Sequence, residues 1–244
     1  MKRLMVGGLL TGLVLVGGGA AYVWFSGGSG EPSTPLAAPP VSTAAIAPTP
    51  SSLDLATSTT EAGAGPVTFE IVPVESRATF EIGEVLRGKP QQVVGTTDQV
   101  AGQVVIDMAD VGKSELGTIV VNARTLTTAN SFRDRAIRGP ILGSADDEFE
   151  FIEFVPTSLE GLTGSIAIGT TLAFQVGGEL TIKSVTKSVT FTVEVSLVAP
   201  DRLEGSATAN VLRSDFGLQI PSAPGVAGVT DEVSLTLDFA ARPI

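Results

Sequence analysis

Cysteine and histidine are both absent from this sequence of 244 residues. Without them the chain has no thiol nucleophile, no disulfide, no Ser-His-Asp triad and no histidine ligand for zinc or haem. An enzyme built from this sequence would rely on carboxylates, lysine, serine or threonine alone, and we find no credible dyad among them. We therefore predict no enzymatic activity, no catalytic residue, no metal site and no cofactor.

Basic residues are also scarce. The chain has 15 lysines and arginines against 26 aspartates and glutamates, which gives a formal net charge of −11. Such a surface repels the phosphates of nucleic acids, so we predict no nucleic-acid partner. Charged residues of both signs make up only 17% of the chain and hydrophobic residues 43%, which indicates a folded core rather than wholesale disorder.

Charge is missing altogether from residues 4–25, which follow Lys2 and Arg3 and are mostly apolar. At about 1.5 Å per residue, a helix of about 22 residues crosses a hydrocarbon core about 30 Å thick. We therefore predict that residues 1–26 form an N-terminal transmembrane helix, with a cleaved signal segment as the alternative. Either version places the rest of the chain outside the cytoplasm, on the periplasmic or extracellular face. Cleavage would release it as a secreted protein.

Gly8 and Gly12 within this segment have the GxxxG spacing. Small residues at this spacing let two membrane helices approach each other closely. A homodimer formed through the N-terminal helix is therefore one hypothesis for assembly.

Residues 27–66 have a different composition, dominated by Ser, Thr, Pro, Ala and Gly. The absence of hydrophobic periodicity predicts a disordered linker. As a flexible coil of about 40 residues, it would span roughly 35 Å. It would hold the following domain near a membrane while letting it tumble.

From Val67 to Ile244 the sequence changes to short runs with a period of two. Residues 189–198, VTFTVEVSLV, and residues 233–241, VSLTLDFAA, alternate apolar and polar residues. This alternation is typical of antiparallel strands with one buried face. Weaker strand patterns occur at about residues 67–74, 77–83, 100–108, 116–124, 149–155, 171–182 and 203–213. Eight or nine short strands predict an all-β sandwich or a closed barrel.

One short helix is predicted within residues 127–142, TTANSFRDRAIRGPIL. Thr128 or Asn130 can cap its start, and Gly139-Pro140 stops it. It is about two turns long.

The same helix carries the densest group of charges in the domain, including Arg133, Asp134 and Arg138. Phe132 and Ile137 fall at helical spacing, and we expect both to face the end of the β structure. The arginines would then bind the phosphate or carboxylate headgroup of a ligand, because guanidinium groups match such oxygens. The alternative is that these charges form ion pairs that pin the helix to the domain.

Residues 145–150, ADDEFE, form a run of acidic residues. Asp146, Asp147, Glu148 and Glu150 offer hard oxygen ligands of the kind that calcium prefers. The run lacks the ordered spacing of a known calcium motif, so we interpret it as a solvated acidic turn.

Six stretches, taken in order, resemble the YceI-like, or lipid/polyisoprenoid-binding, family. They are GTTDQVAGQVVIDMAD, LGTIVVNARTLTTANSFRDRAIRGPIL, FEFIEFVPTSLEGL, FQVGGELTIKSVTKSVTFTVEV, RSDFGLQIP and DEVSLTLDFAA. The resemblance covers about residues 67–243. The sequence departs from the family at Ala136, where a histidine is usual, and at Phe69, where a tryptophan is frequent.

The resemblance implies an eight-stranded antiparallel, lipocalin-like barrel with one short helix at its end and a long apolar lumen. In this family the lumen holds an isoprenoid or a long acyl chain. The expected function is that of an extracytoplasmic lipid-binding protein that sequesters or transfers such an amphiphile.

The inward faces of the predicted strands supply the candidate lumen residues. They are Phe80, Ile82, Phe154, Phe174, Val176, Phe191, Val193, Leu235, Leu237 and Phe239. An apolar stripe of this kind suits a prenyl or fatty chain. The same alternation also fits a filled barrel that acts as a structural or protein-interaction module of the cell envelope, and the sequence leaves both alternatives open.

Overall fold

A computed structural model of the chain describes residues 31–33, 36–37, 39–41 and 65–244. The predicted transmembrane helix at residues 1–26, its GxxxG pair and most of the predicted linker lie outside the described residues. Within the described part of the chain, no helix is both long enough and apolar enough to cross a membrane.

Thirteen antiparallel strands form one sheet within the domain. They are β1 (Val67–Ile71), β2 (Arg77–Leu86), β3 (Lys89–Thr97), β4 (Val100–Ala101), β5 (Gln103–Ile106), β6 (Glu115–Leu116), β7 (Ile119–Asn122), β8 (Phe151–Glu160), β9 (Thr171–Ile182), β10 (Val185–Ala199), β11 (Arg202–Leu212), β12 (Val226–Ala227) and β13 (Glu232–Pro243). The two stretches with the clearest alternation lie in β10 and β13, where successive side chains point to opposite faces of the sheet. The prediction of an all-β domain with one short helix is confirmed.

The sheet curls around a core, and its main line of pairings runs from β4 at one end to β6 at the other. Strands β7 to β11 each pair with the next, and β11 pairs with β13. Strand β13 pairs with both β1 and β2, which pair with β5 and β3 on their other side. Strands β5 and β4 pair with β6 and β7. The short strands are therefore segments of longer, bent strands around a common core.

Strand β3 has no counterpart among the predicted strands. It begins with the polar run Lys89-Pro90-Gln91-Gln92, which is exposed and shows no alternation. The strand forms because Arg87 and Gly88 both have positive φ angles, 50° and 79°, as in the tight two-residue turn of a hairpin. That turn sets β3 in register with β2, so backbone pairing replaces side-chain pattern as the cause of the strand.

The predicted helix is α1 (Ser131–Ala136), and Asn130 caps it by accepting hydrogen bonds from the N–H groups of Phe132 (2.9 Å) and Arg133 (3.3 Å). The chain does not stop at Gly139-Pro140 but continues through a π-helical turn, Ile137–Ile141. Ile137 is buried as expected, whereas the expectation for Phe132 is wrong, because its side chain is exposed. Single 3-10 turns occur at Pro73–Glu75, Val111–Lys113, Ala123–Thr125, Asp147–Phe149 and Arg213–Phe216.

The curled sheet has two distinct ends. The helix end carries α1, the β2–β3 turn and the β9–β10 turn at Lys183-Ser184. The far end carries the β10–β11 turn at Pro200-Asp201 and the loop at residues 107–114. A buried cluster lies towards each end, and the far cluster includes the fully buried Phe69. The interior between the two clusters is the natural place to search for a site.

Candidate functional site

A cavity of about 240 Å³ lies inside the curled sheet. The described residues that line it number 32, and none of them is charged. The four polar ones are Thr79, Gln103, Ser114 and Thr236. An apolar cavity of about 150 Å³ in another protein stays dry and binds benzene, so a cavity of this size and lining suits an apolar group rather than water.

Nine of the ten candidate lumen residues line this cavity. They are Phe80, Phe154, Phe174, Val176, Phe191, Val193, Leu235, Leu237 and Phe239. The cross-strand pairing brings them together, because Leu235 lies opposite Phe80 and Phe191 lies opposite Val176. Ile82 does not line the cavity; it lies on β2 opposite Val233, nearer the helix end. Binding of a ligand by these residues stays a prediction.

The list of candidate lumen residues left out the lining residues from β1, β5, β6, β7 and the loop after β8, although weaker strand patterns were found over most of β1, β5 and β7. Ile71, Ile106, Ile119, Leu162 and Ile166 all contribute to the wall. These segments are short and bent, so a weak period of two does not show which of their apolar residues face the interior.

Three aromatic lining residues each pack over a glycine of a neighbouring strand. A Cβ added at Gly95 would lie 3.0 Å from Cδ1 of Phe80 and closer still to two other atoms of that ring. A Cβ added at Gly205 would lie 2.6 Å from Cζ of Phe239, and the ring of Phe154 covers Gly178 in the same way. The glycines thus let these rings lie against the wall, which leaves the centre of the interior open.

A buried ion pair lies at the helix end, outside the cavity. Arg124 is 4% exposed, and its Nη1 donates to Oε2 of Glu150, which is 2% exposed, at 3.0 Å. Its Nε donates to the carbonyl oxygen of Ser144 at 2.5 Å, and its Nη2 donates to that of Ala145 at 3.1 Å. Nδ2 of Asn122 donates to the other Glu150 oxygen at 2.7 Å. This network fixes the turn after α1 to the end of β7.

Glu150 also accepts two hydrogen bonds from the linker. The backbone N–H and the hydroxyl of Ser33 donate to its two carboxylate oxygens at 2.6 Å and 2.7 Å. Burial by itself would raise the pKa of Glu150, but the two bonds from Ser33, the bond from Asn122 and the charge of Arg124 outweigh it and lower that pKa below 4.5. The carboxylate is therefore held in its charged form. The sequence gives no signal for this network, because the side chains that bind the Glu150 carboxylate lie 26 or more residues from it in the chain.

Arg133 and Asp134 do not pair with each other. Nη2 of Arg133 donates to Oε1 of Glu84 on β2 at 2.8 Å, and Glu84 is buried. Oδ1 of Asp134 accepts from the N–H and the hydroxyl of Thr128 at 2.7 Å and 2.6 Å. Arg133 and Asp134, two of the three residues predicted to bind a headgroup, thus hold α1 in place. Glu84 is a partner that the sequence analysis did not identify.

Arg138 has a different environment. It is half-buried, and its Nε is buried without a hydrogen-bond partner among the described residues. The hydroxyl of Ser144 is buried and unpartnered in the same sense. The two residues belong to one turn, in which the N–H of Ala145 donates to the carbonyl oxygen of Arg138 at 3.2 Å. This turn therefore has two hydrogen-bond donors, Nε of Arg138 and the hydroxyl of Ser144, that have no partner among the described residues.

The acidic run is split by the fold. Glu150 is buried beside Arg124, Asp147 pairs with the same arginine from the surface, and Asp146 and Glu148 are exposed. Within the described ranges, no group of three or more acidic side chains is arranged to hold a metal ion.

Comparison with known proteins shows the family to which this domain is similar. A family model described as YceI-like domain matches residues 69–241. The UPF0312 proteins of Staphylococcus aureus strains MSSA476 and MW2 are each 28% identical over 168 residues, which cover 66% of this chain and 88% of theirs.

Two solved structures have a similar fold. A polyisoprenoid binding domain from Saccharophagus degradans implicated in plant cell wall breakdown has a TM-score of 0.58 at 12% identity, over 73% of this chain and 99% of that one. BcnA of Burkholderia cenocepacia has a TM-score of 0.54 at 17% identity, over 70% of this chain and 98% of that one. At these identities the likeness concerns the fold alone.

Proposed function

Since this chain belongs to the YceI-like domain family, we propose that its curled sheet acts as a lipocalin-like barrel of eight bent strands that encloses the apolar tail of an amphiphile. The observation that carries the proposal is the uncharged cavity of about 240 Å³ in the interior. The open interior favours this function over a filled structural or protein-interaction module, which would need bulky side chains in the same space. The domain would bind the ligand without changing it chemically.

An isoprenoid or a long acyl chain is the proposed tail. Each methylene group that leaves water contributes about 0.8 kcal/mol, so a tail gains affinity with length as long as the wall accommodates it. A cavity of about 240 Å³ is smaller than the roughly 300 to 1,000 Å³ of most ligand sites, so we expect the rings of Phe80, Phe154 and Phe239 to move when a long tail enters.

Arg138 is the proposed contact for an anionic headgroup. Its guanidinium has a buried nitrogen with no partner among the described residues, and the unpartnered hydroxyl of Ser144 belongs to the same turn. Arg133 and Asp134 are already engaged with Glu84 and Thr128, which supports a role in holding the helix. Of the predicted charged set, Arg138 is thus the residue with a buried donor that has no partner among the described residues.

A location at the outer face of a membrane completes the proposal. It rests on the charge-free stretch at residues 4–25 that follows Lys2 and Arg3. A lipid carrier held within tens of ångströms of a bilayer can exchange its ligand without diffusing away.

Organic extraction of the natively purified full-length chain, followed by mass spectrometry, tests the binding function. We expect an amphiphile with a prenyl or long acyl tail in the extract. The proposal fails if the extract contains no such molecule and added prenyl and fatty amphiphiles do not bind in titrations.

A further inference from the structure

Part of the predicted linker lies against the curled sheet. Its described residues divide into two sets by exposure. Four apolar residues are half-buried: Pro32, Leu36, Pro39 and Val41. The other four are exposed: Glu31, Ser33, Ala37 and Pro40. The side chains that are shielded from water are thus all apolar, as expected for a segment that packs on a surface.

The first contact of this segment is with the buried ion pair at the helix end. The N–H and hydroxyl of Ser33 donate to Glu150, and the carbonyl oxygen of Glu31 accepts from Nη1 of Arg124 at 3.0 Å. Ser33 supplies two of the four hydrogen bonds that the Glu150 carboxylate accepts from described residues, the others coming from Asn122 and Arg124. A buried carboxylate needs such partners, so the segment completes the network rather than resting beside it.

The second contact lies on the outer wall, at the bend between β6 and β7. A Cβ added at Gly117 would lie 3.0 Å from Cγ2 of Val41 and 3.8 Å from the carbonyl oxygen of Pro39. A glycine at this bend therefore lets the segment approach the backbone of the sheet. The two contacts place Ser33 at the helix end and Val41 at the bend between β6 and β7.

We propose that the described linker residues 31–33, 36–37 and 39–41 form a docking segment, fixed by Ser33 on Glu150, that holds the helix end of the sheet next to the start of the chain. The first part of this inference, docking, is independent of the ligand. The second part, the orientation of the domain, rests on the membrane location given under the proposed function.

The docking segment changes the reach of the linker. From residue 25 to Glu31 the chain spans at most about 20 Å, whereas an undocked coil of about 40 residues spans roughly 35 Å and can extend much further. A docked domain would therefore face the membrane with its helix end, where Arg138 lies, instead of tumbling.

The absence of cysteine from the sequence allows a clean test of docking in the full-length chain. A single thiol introduced by Val41→Cys should react with a maleimide roughly tenfold more slowly than one introduced by Ala37→Cys, because only Val41 packs on the wall. Adding Ser33→Pro, which removes both donors to Glu150 and alters no residue of the sheet, should abolish most of that difference. Adding Ala37→Pro to the Val41→Cys chain is the matched control and should leave the slow rate unchanged.

Equal rates for the two thiols, or a slow Val41→Cys rate that survives Ser33→Pro, would overturn docking through Ser33. These outcomes do not depend on any lipid, so they are distinct from a failure of the binding function, which the extraction experiment reports.

Orientation is tested in vesicles of phosphatidylcholine that carry an acceptor dye on a fraction of the headgroups. A donor dye is attached through Glu148→Cys at the helix end or through Asp201→Cys at the far end, sites about 35 Å apart for tilted strands of this length. Energy transfer should be stronger from Glu148→Cys, and Ser33→Pro should reduce the difference. Equal transfer from both sites in a chain whose Val41→Cys thiol is protected would overturn the orientation while docking stands.

Discussion

Replacing Gly95 by alanine should narrow the interior. The three atoms nearest to the added Cβ would all belong to the ring of Phe80, with Cδ1 at 3.0 Å and both Cε1 and Cζ closer. Carbon atoms prefer separations of about 3.5 to 4.0 Å, so the ring has to move by about 1 Å or more. Because Phe80 lines the cavity, the open space available to the ring is the interior itself.

The expected loss of affinity follows from the space that the ring takes. If the shifted ring displaces about two methylene groups of a bound tail, binding weakens by about 1.6 kcal/mol, or more than tenfold in Kd. The overpacking should also cost about 1 to 3 kcal/mol of folding stability. Titration of a fluorescent fatty-acid probe into the purified full-length chain measures the first effect, and thermal unfolding measures the second.

Two further variants separate the proposed cause from general damage. Gly65→Ala is the matched control, since a Cβ at that position meets nothing within 4 Å and should change neither quantity. Shortening the ring in Gly95→Ala/Phe80→Leu should restore most of the binding. The reasoning is refuted if Gly95→Ala binds the probe as the wild type does, or if the double variant binds no better than Gly95→Ala.

Three predictions concern the helix end. Arg133→Ala should lower the melting temperature by several degrees with or without ligand, because it leaves the buried Glu84 with a hydrogen bond from Gln91 but without its ion pair, and Arg133→Ala/Glu84→Gln should recover part of the loss. Arg138→Ala should weaken binding of an anionic amphiphile with little change in melting temperature, since this arginine has no ion pair within the described part of the chain; a matching fall in melting temperature would contradict the headgroup role. The lowered pKa of Glu150 makes its stabilisation complete above pH 4.5 and lost as the pH falls through the folded value, so the gap in melting temperature between wild type and Glu150→Gln should narrow in acid. A gap that stays constant from pH 7 to about pH 3 would contradict this assignment.

The sequence predicted those parts of the fold in which one residue pattern runs unbroken. The alternation in β10 and β13 placed Phe191, Val193 and Leu235 on the inner face, and the structure puts all three in the cavity wall. Strand β3 escaped prediction because a tight turn at Arg87-Gly88, rather than alternation, sets its pairing.

The candidate site was less predictable where its partners are distant in the chain. Glu84 lies 49 residues from Arg133, and Ser33 lies 117 residues from Glu150. Local pattern cannot link such residues, since only the curled sheet brings them together. The seating of Phe80 on Gly95 is hidden for the same reason, because it depends on cross-strand register.

Native mass spectrometry of the intact full-length chain, purified without added lipid, tests the central claim most directly. The account predicts a population heavier than the bare chain by the mass of one amphiphile, and a smaller bound fraction for Gly95→Ala. A single mass for the bare chain, unchanged after incubation with prenyl and fatty amphiphiles, would contradict it.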